Sequence, residues 1–267
     1  MLEKGEEVLA GIRILMKGLG VEKAIIGIEN NKPDAIKKMK ELAAKYPEVS
    51  VQGLKVKYPQ GGEKQLIHAL LKREVPSGKL PIEVGCVVNN VGTAFAVYEA
   101  VQKNKPLFER IVTVTGKTVT KPSNFLVRIG TPVSELLEKA QADMQQTGKV
   151  VSGGPMMGKA LNSVEIPVVK GTSGILLFDE PHASRTDIRT CIRCGRCVSV
   201  CPMGLEPILL AQYSRSGMWD EEEANKIMDC MECGSCHYTC PSGRPLLDYI
   251  RLGKGKVGQL IRNRGKK

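Results

Sequence analysis

Aromatic side chains are scarce in this chain. They make up 4% of its 267 residues, with one tryptophan, so aliphatic residues must do the packing. No stretch approaches 18 uninterrupted apolar residues, so none reads as a membrane-crossing helix. Nothing at the N-terminus resembles an export signal. Basic residues are scattered rather than interleaved with stacking aromatics, and no helix-turn-helix or RNP pattern occurs, which argues against nucleic acid as a partner. Histidines number three. None suggests a nucleophile or general base: His237 reads as a packing residue beside a cysteine run, and His68 and His182 as ordinary surface or packing histidines. No catalytic side chain is expected.

Cysteine is what the chain does have. Eight of its nine cysteines fall between 191 and 240, in two matching quartets. The first reads Cys191-Ile-Arg-Cys194-Gly-Arg-Cys197-Val-Ser-Val-Cys201-Pro202, and the second Cys230-Met-Glu-Cys233-Gly-Ser-Cys236-His-Tyr-Thr-Cys240-Pro241. Both are the C-x₂-C-x₂-C-x₃-C-P run of bacterial two-cluster ferredoxins, in which the fourth cysteine ligates the other cluster. The expected ligand sets are therefore Cys191, Cys194, Cys197 and Cys240 for one 4Fe-4S cluster, and Cys230, Cys233, Cys236 and Cys201 for the other. Paired C-x-x-C units can also hold zinc, but four ligands complete a zinc site and leave the third cysteine of each run without a role. Disulfides would need an oxidising compartment, whereas clustered thiols without an export signal suit the cytoplasm. Cys86, inside the apolar run Val84-Gly-Cys-Val-Val88, is expected to be a buried free thiol.

The formal net charge is +11. Such an excess suits an acidic protein or anionic lipid headgroups. The densest basic patch is C-terminal: Arg251, Lys254, Lys256, Arg262, Arg264, Lys266 and Lys267. It reads either as a solvated tail or as a docking element.

Periodicity divides the chain. Val8, Leu9, Ile12, Leu15, Met16 and Leu19 recur at helical spacing up to Gly20. Ala24–Ile28 reads as a buried strand, Pro33 opens a second helix, and Val49–Val56 suggests a second strand. That order indicates an α/β layer domain over 1–108. Ile111–Thr115 and Phe125–Ile129 then read as strands, followed by a helix from Ser134 to before Gly148 and strands at Val150–Pro155, Val164–Val169 and Ile175–Phe178. Two strands followed by a helix begin a β-grasp-like module, placed at 109–179. Residues 180–189 read as a linker within a cluster domain at 180–254, with helices expected at Glu206–Ser216 and Asp220–Met228 and a basic tail at 255–267. The long helical insert between the quartets fits the α-helical ferredoxin type.

With these modules in this order, the chain resembles the C subunit of the Rnf electron transport complex. The carriers of the resemblance are Tyr58-Pro-Gln-Gly-Gly-Glu-Lys64, Asn89-Asn-Val-Gly-Thr93, Gly153-Gly-Pro-Met-Met-Gly158, Lys170-Gly-Thr-Ser-Gly174 and both quartets. More distantly it is similar to the flavoprotein subunit of respiratory complex I and to the cobalamin reductase of propanediol-degrading microcompartments. The resemblance implies a soluble-ligand-binding β-grasp (SLBB) module at 109–179 and a peripheral subunit on the cytoplasmic side of the cell membrane. It implies integral membrane subunits and a ferredoxin-like electron carrier as partners, with FMN and NAD(H) beside the clusters. It also implies that Gly61, Gly62 and Glu63 lie beside the flavin ring, and Asn89, Asn90 and Thr93 near the flavin phosphate and ribityl chain. Read alone, Gly61-Gly62 would be an ordinary turn and Asn89-Asn90 a cap for the helix Val91–Gln102.

Full-length members of that family also carry an upstream barrel-sandwich domain, a Gly-Gly-Ala-Gly-Phe-Pro-Thr phosphate loop and an Asn-x-x-Glu-x-Glu-Pro segment. The sequence starts after the positions of these features, so an N-terminally truncated subunit that holds clusters well and FMN weakly is expected. Two other readings stay open. One is a cobalamin or flavin reductase acting on a small molecule, and the other an electron-wiring module without flavin.

Overall fold

The structure is a computed structural model and describes residues 1–265. The chain forms two compact units, residues 1–107 and 108–267, so the first break falls one residue before the expected one.

In the first unit, α1 (Gly5–Leu19) ends where Gly20 adopts the left-handed conformation its sequence suggested. Strand β1 (Ala24–Glu29) runs parallel to β2 (Val49–Leu54), with α2 (Pro33–Ala43) as the crossover and Pro33 at its first turn. Val8 and Leu9 of α1 and Met39 of α2 pack with Ile26 and Ile28 of β1 in the core. Helix α3 (Glu63–Leu71) follows, then a single 3₁₀ turn at Pro81–Val84 and α4 (Val91–Lys103). Cys86 comes just after that turn and is partly exposed rather than buried, because its apolar run is a loop and not a strand. Its thiol faces the Val84 carbonyl.

The second unit opens with a five-stranded sheet. Strands β3 (Glu109–Gly116), β4 (Ser123–Arg128), β5 (Thr147–Ser152), β6 (Lys159–Ala160) and β7 (Gly174–Asp179) stand in the order β4-β3-β7-β5-β6, with only β3 and β7 parallel. Helix α5 (Val133–Lys139) lays Val133, Leu136 and Leu137 onto Val112, Val114, Ile175 and Leu177. It is shorter than expected: the chain turns at Gln141, whose φ of 53° ends helical geometry. The strand expected at Val164–Val169 is instead an extended segment. Pro167 has no N–H to donate to a ladder, and the carbonyls of Val164 and Ile166 accept from Ser134 and Val133 at the start of α5.

The rest of this unit is helical: α6 (Glu180–Ala183), α7 (Arg196–Ser199), α8 (Pro207–Ser216), α9 (Trp219–Ala224), α10 (Ser235–Tyr238) and α11 (Leu246–Arg264). The helix expected over Asp220–Met228 breaks at Lys226, which has a φ of 58°. The boundary drawn at 254/255 falls inside α11. Leu246, Leu247, Ile250 and Val257 bury one side of that helix, so apolar packing carries it through the basic residues that suggested a tail. Lys266 and Lys267 lie outside the described residues. Among the described residues no helix is long and apolar enough to cross a membrane.

Candidate metal centre

The two cysteine runs fold as copies of one another. Arg193 and Glu232 occupy equivalent positions with φ of 55° and 58°, and Gly195 and Gly234 follow with 71° and 81°. Those left-handed residues turn each loop sharply between its first and third cysteines, and glycine adopts that conformation without steric cost. The N–H groups of Arg193 and Glu232 each donate to the sulfur two residues back, Cys191 and Cys230, at 3.4 Å. Each loop then enters a single helical turn, α7 or α10, and a glycine turn at Gly204 or Gly243. The likeness continues past the motifs, because α8 and α11 begin at equivalent positions and pack on each other.

The structure brings thiols of the two runs together. Cys201 lines one recess with Cys230, Cys233 and Cys236, walled by Leu205, Leu210, Leu247 and Ile250. Cys240 lies close enough to Cys197 for a charge on it to raise the Cys197 pKa. The segment entering the first run is tied to the exit of the second: Arg189 N–H donates to the Ser242 carbonyl at 2.9 Å, and Ser242 Oγ to the Thr190 carbonyl at 3.0 Å.

Burial pushes the Cys197, Cys230 and Cys236 thiols up, the last to about 12, and neighbouring thiols add to the shift. Thiols raised in this way, Cys230 and Cys236 in the recess and Cys197 outside it, ionise readily only when a cation replaces their protons. All nine cysteines are free, and among the described residues no three His, Cys, Asp or Glu side chains crowd round one ion position. A zinc ion would need its thiolates ~2.3 Å from one point, whereas a cubane spreads its ligands over several irons. The all-thiolate donor set fits the cubane.

The two loops differ in their surroundings. Cys233, Gly234 and Cys236 are buried, while Ile192, Arg193, Cys194 and Arg196 are exposed. Behind the second loop, the Met156 carbonyl of Gly153–Gly158 would lie 2.8 Å from a side chain added at Gly234. Arg251 Nη2 donates to the next carbonyl, Met157, at 3.3 Å, and its Nε meets Glu232 Oε2 at 3.1 Å. Lys254 also pairs with Glu232 at 3.1 Å and donates to the Cys230 carbonyl. Two residues of the basic C-terminal patch are thereby accounted for, since they hold the second loop. His237 is partly buried, and burial lowers its pKa, so it is neutral near pH 7. Among the sites that sequence reasoning passed over, Glu222 of α9 stands out. It is fully buried, Oε1 accepts from Ser214 Oγ, and Oε2 has no partner. Burial raises its pKa. Its sequence signal is faint, a glutamate at an inward position of a short helix.

The flavin candidates all lie in the first unit. Gly61 is exposed, and a side chain there would meet open space. Gly62 precedes α3 and Glu63 starts it. Asn90 caps α4, its Oδ1 accepting from Gly92 N–H at 2.8 Å, with Asn89 and Thr93 exposed beside it. Amide donors at the start of a helix suit a phosphate. No hydrogen bond among the described residues joins the two segments. A Gly-x-Gly-x-x-Gly string does occur at Gly253–Gly258, but it lies inside α11, follows no strand and forms no phosphate loop.

Residues 1–99 match the family described as the Nuo51 FMN-binding domain, 111–160 the SLBB domain and 187–244 the 4Fe-4S dicluster domain. The chain thus combines segments similar to a flavin-binding domain, an SLBB domain and an iron–sulfur domain. It is 46% identical over 257 residues to the C subunit of the Na⁺-translocating ferredoxin:NAD⁺ oxidoreductase complex of Acetobacterium woodii, covering 96% of this chain and 58% of that one. It is 47% identical to the C subunit of the proton-translocating complex of Clostridium ljungdahlii, covering 96% and 56%. The similarity to these C subunits runs over 96% of the chain. Against the C subunit of an ion-translocating oxidoreductase complex of Erwinia tasmaniensis the identity is 43%, over 96% of this chain and 32% of that one. It spans little more than half the length of the first two relatives. A NAD⁺-reducing NiFe-hydrogenase structure shares the fold, with a TM-score of 0.58 at 17% identity over 95% of this chain and 52% of the other.

Proposed function

We propose that this chain is an electron-transfer part of an ion-translocating ferredoxin:NAD⁺ oxidoreductase of the Rnf type, peripheral on the cytoplasmic side of the membrane and joined there to integral membrane subunits. Two 4Fe-4S clusters supply one-electron chemistry, and FMN, exchanging electrons with NAD(H), supplies the conversion between one and two electrons. Cys191, Cys194, Cys197 and Cys240 hold one cluster, and Cys230, Cys233, Cys236 and Cys201 the other. The placement of Cys201 carries this reading: it leaves the first run and lines a recess with Cys230, Cys233 and Cys236 of the second, while Cys240 acts electrostatically on Cys197.

The chain's own groups prepare these sites. N–H donors to Cys191, Cys201 and Cys230 orient these sulfurs. Leu205, Leu210, Leu247 and Ile250 keep water from the second site. Arg251 and Lys254 offset the charge of Glu232 beside it. In the first unit, Gly61, Gly62 and Glu63 would face the flavin ring, with Asn89, Asn90 and Thr93 at its phosphate side. The β-grasp-like module at 109–179 braces the second cluster loop through its Gly153–Gly158 turn.

Anaerobic reconstitution tests this reading. About eight irons and about eight acid-labile sulfides per chain are expected from two cubanes. Stoichiometric zinc without sulfide would end it. The related cobalamin and flavin reductases are separated by co-purification: integral membrane subunits should come with this protein.

A further inference from the structure

From Ile188 to Val200, the first cysteine run and its lead-in contain Arg189, Arg193 and Arg196 and no acidic residue. All three arginines are exposed, and among the described residues none forms an ion pair. The nearest acids in sequence are Asp187 and Glu206. Apolar side chains stand among the arginines: Ile188 is 62% exposed, Ile192 68%, Val198 40% and Val200 38%. Cys194 is exposed in the same loop. The second run, from Asp229 to Pro241, has no arginine or lysine and carries Asp229 and Glu232. It is largely closed off by α11 and the Gly153–Gly158 turn.

Ile188 and Ile192 are among the most exposed apolar side chains of the chain, and they stand together beside uncompensated cations. An apolar centre with a charged rim is the composition of a contact patch. The rim's sign sets the partner's sign, because complementary charge speeds encounter and like charge rejects wrong partners. We propose that residues 188–200 form the surface on which an acidic iron–sulfur protein docks, its carboxylates meeting Arg189, Arg193 and Arg196 and its apolar centre meeting Ile188 and Ile192. This rests on the cluster reading, since the loop gains its value from a redox centre directly beneath it.

The second loop supplies a variant that fits the backbone. At the positions of Arg193 and Arg196 it carries Glu232 and Ser235 on the same left-handed turn. Arg193→Glu with Arg196→Ser therefore changes charge without a new strain. The control is Lys37→Glu with Lys38→Ser on the exposed face of α2, with the same change in net charge. The probe is an oxidised, acidic two-cluster ferredoxin, titrated calorimetrically into the reconstituted full chain at low ionic strength. The loop variant should bind about tenfold more weakly than the unaltered chain, with a flatter salt dependence, while the control stays within about twofold. Equal weakening in both variants would make the attraction one of net charge and overturn the proposal. So would a loop variant that loses affinity for anionic phosphatidylglycerol vesicles but not for ferredoxin, which would assign the patch to lipid. Iron and sulfide analysis of the same samples separates the two levels. A chain that takes up no iron overturns the cluster reading, whereas a fully loaded chain with unchanged ferredoxin affinity overturns the docking surface alone.

Discussion

Where the first cysteine run exposes Ile192, Arg193, Cys194 and Arg196, the second buries Cys233, Gly234 and Cys236 on the same backbone turns. Backbone conformation repeats through the left-handed turns of both runs. Surroundings are set by what packs behind. The second loop has α11 and the Gly153–Gly158 turn against it, so its glutamate is paired and its recess is lined by leucines. The first loop has solvent and unpaired arginines. A repeat that is symmetric in its ligands is thus asymmetric in access, and the two sites differ in exposure, local charge and rigidity while sharing ligand chemistry.

The largest effect should come from adding one methyl group to each loop. A side chain at Gly195 meets open space, but at Gly234 it meets the Met156 carbonyl at 2.8 Å. Both glycines are left-handed, so both changes cost about 1 kcal/mol in backbone strain. Gly234→Ala adds overpacking of about 1–3 kcal/mol against backbone that cannot move aside. Iron content should fall by about half in Gly234→Ala, since only one of two cubanes is disturbed, and stay near full in Gly195→Ala. Equal losses would mean that the bracing of the second loop has no consequence.

Access gives the next effect. On exposure to a ferrous chelator under mild oxidation, visible absorbance should bleach in two phases, the faster from the exposed first site. A single phase would remove the asymmetry. A smaller effect concerns potential. Arg251→Ala with Lys254→Met leaves Glu232 without its cations and so favours the more oxidised, less negative state of the second cluster. Its potential should fall by about 40 mV, the one-electron equivalent of ~1 kcal/mol, with the first unchanged in a redox titration.

The smallest effect lies in α9. Burial raises the Glu222 pKa, so the fold favours the neutral acid. That contribution is whole below the ordinary carboxyl pKa and is lost as pH rises through the raised value. Glu222→Gln should therefore gain stability over the unaltered chain as pH increases from 5.5 to 8, by about 1 kcal/mol at the upper end. A stability difference that does not vary with pH would show that Glu222 keeps one protonation state throughout.

Much of this was legible in the sequence. Helices with a Pro start or a Gly stop, α1, α2 and α8, lie close to where periodicity placed them, because cap and packing signals agree there. Residues of one sign misled at α11: its basic positions suggested a tail, while Ile250, Gly253 and Val257 were already on a buried stripe. The Val164–Val169 run misled because β-branched composition does not reveal where its hydrogen bonds go. The cysteine spacing marked eight candidate ligands and an expected crossing, because the motif itself is a short loop. It did not reveal that one run is covered and the other bare. That depends on Arg251 and Met156, distant in sequence and unremarkable in type.

The crossing of the runs and their unequal exposure can be tested in one measurement: two-phase bleaching of reconstituted Cys201→Ala and Cys240→Ala. Loss of Cys201 should remove the second-site cluster and leave the fast phase alone, and loss of Cys240 should leave the slow phase alone. The reverse assignment, with Cys201→Ala retaining the slow phase, would mean that each run closes on itself and would contradict the account.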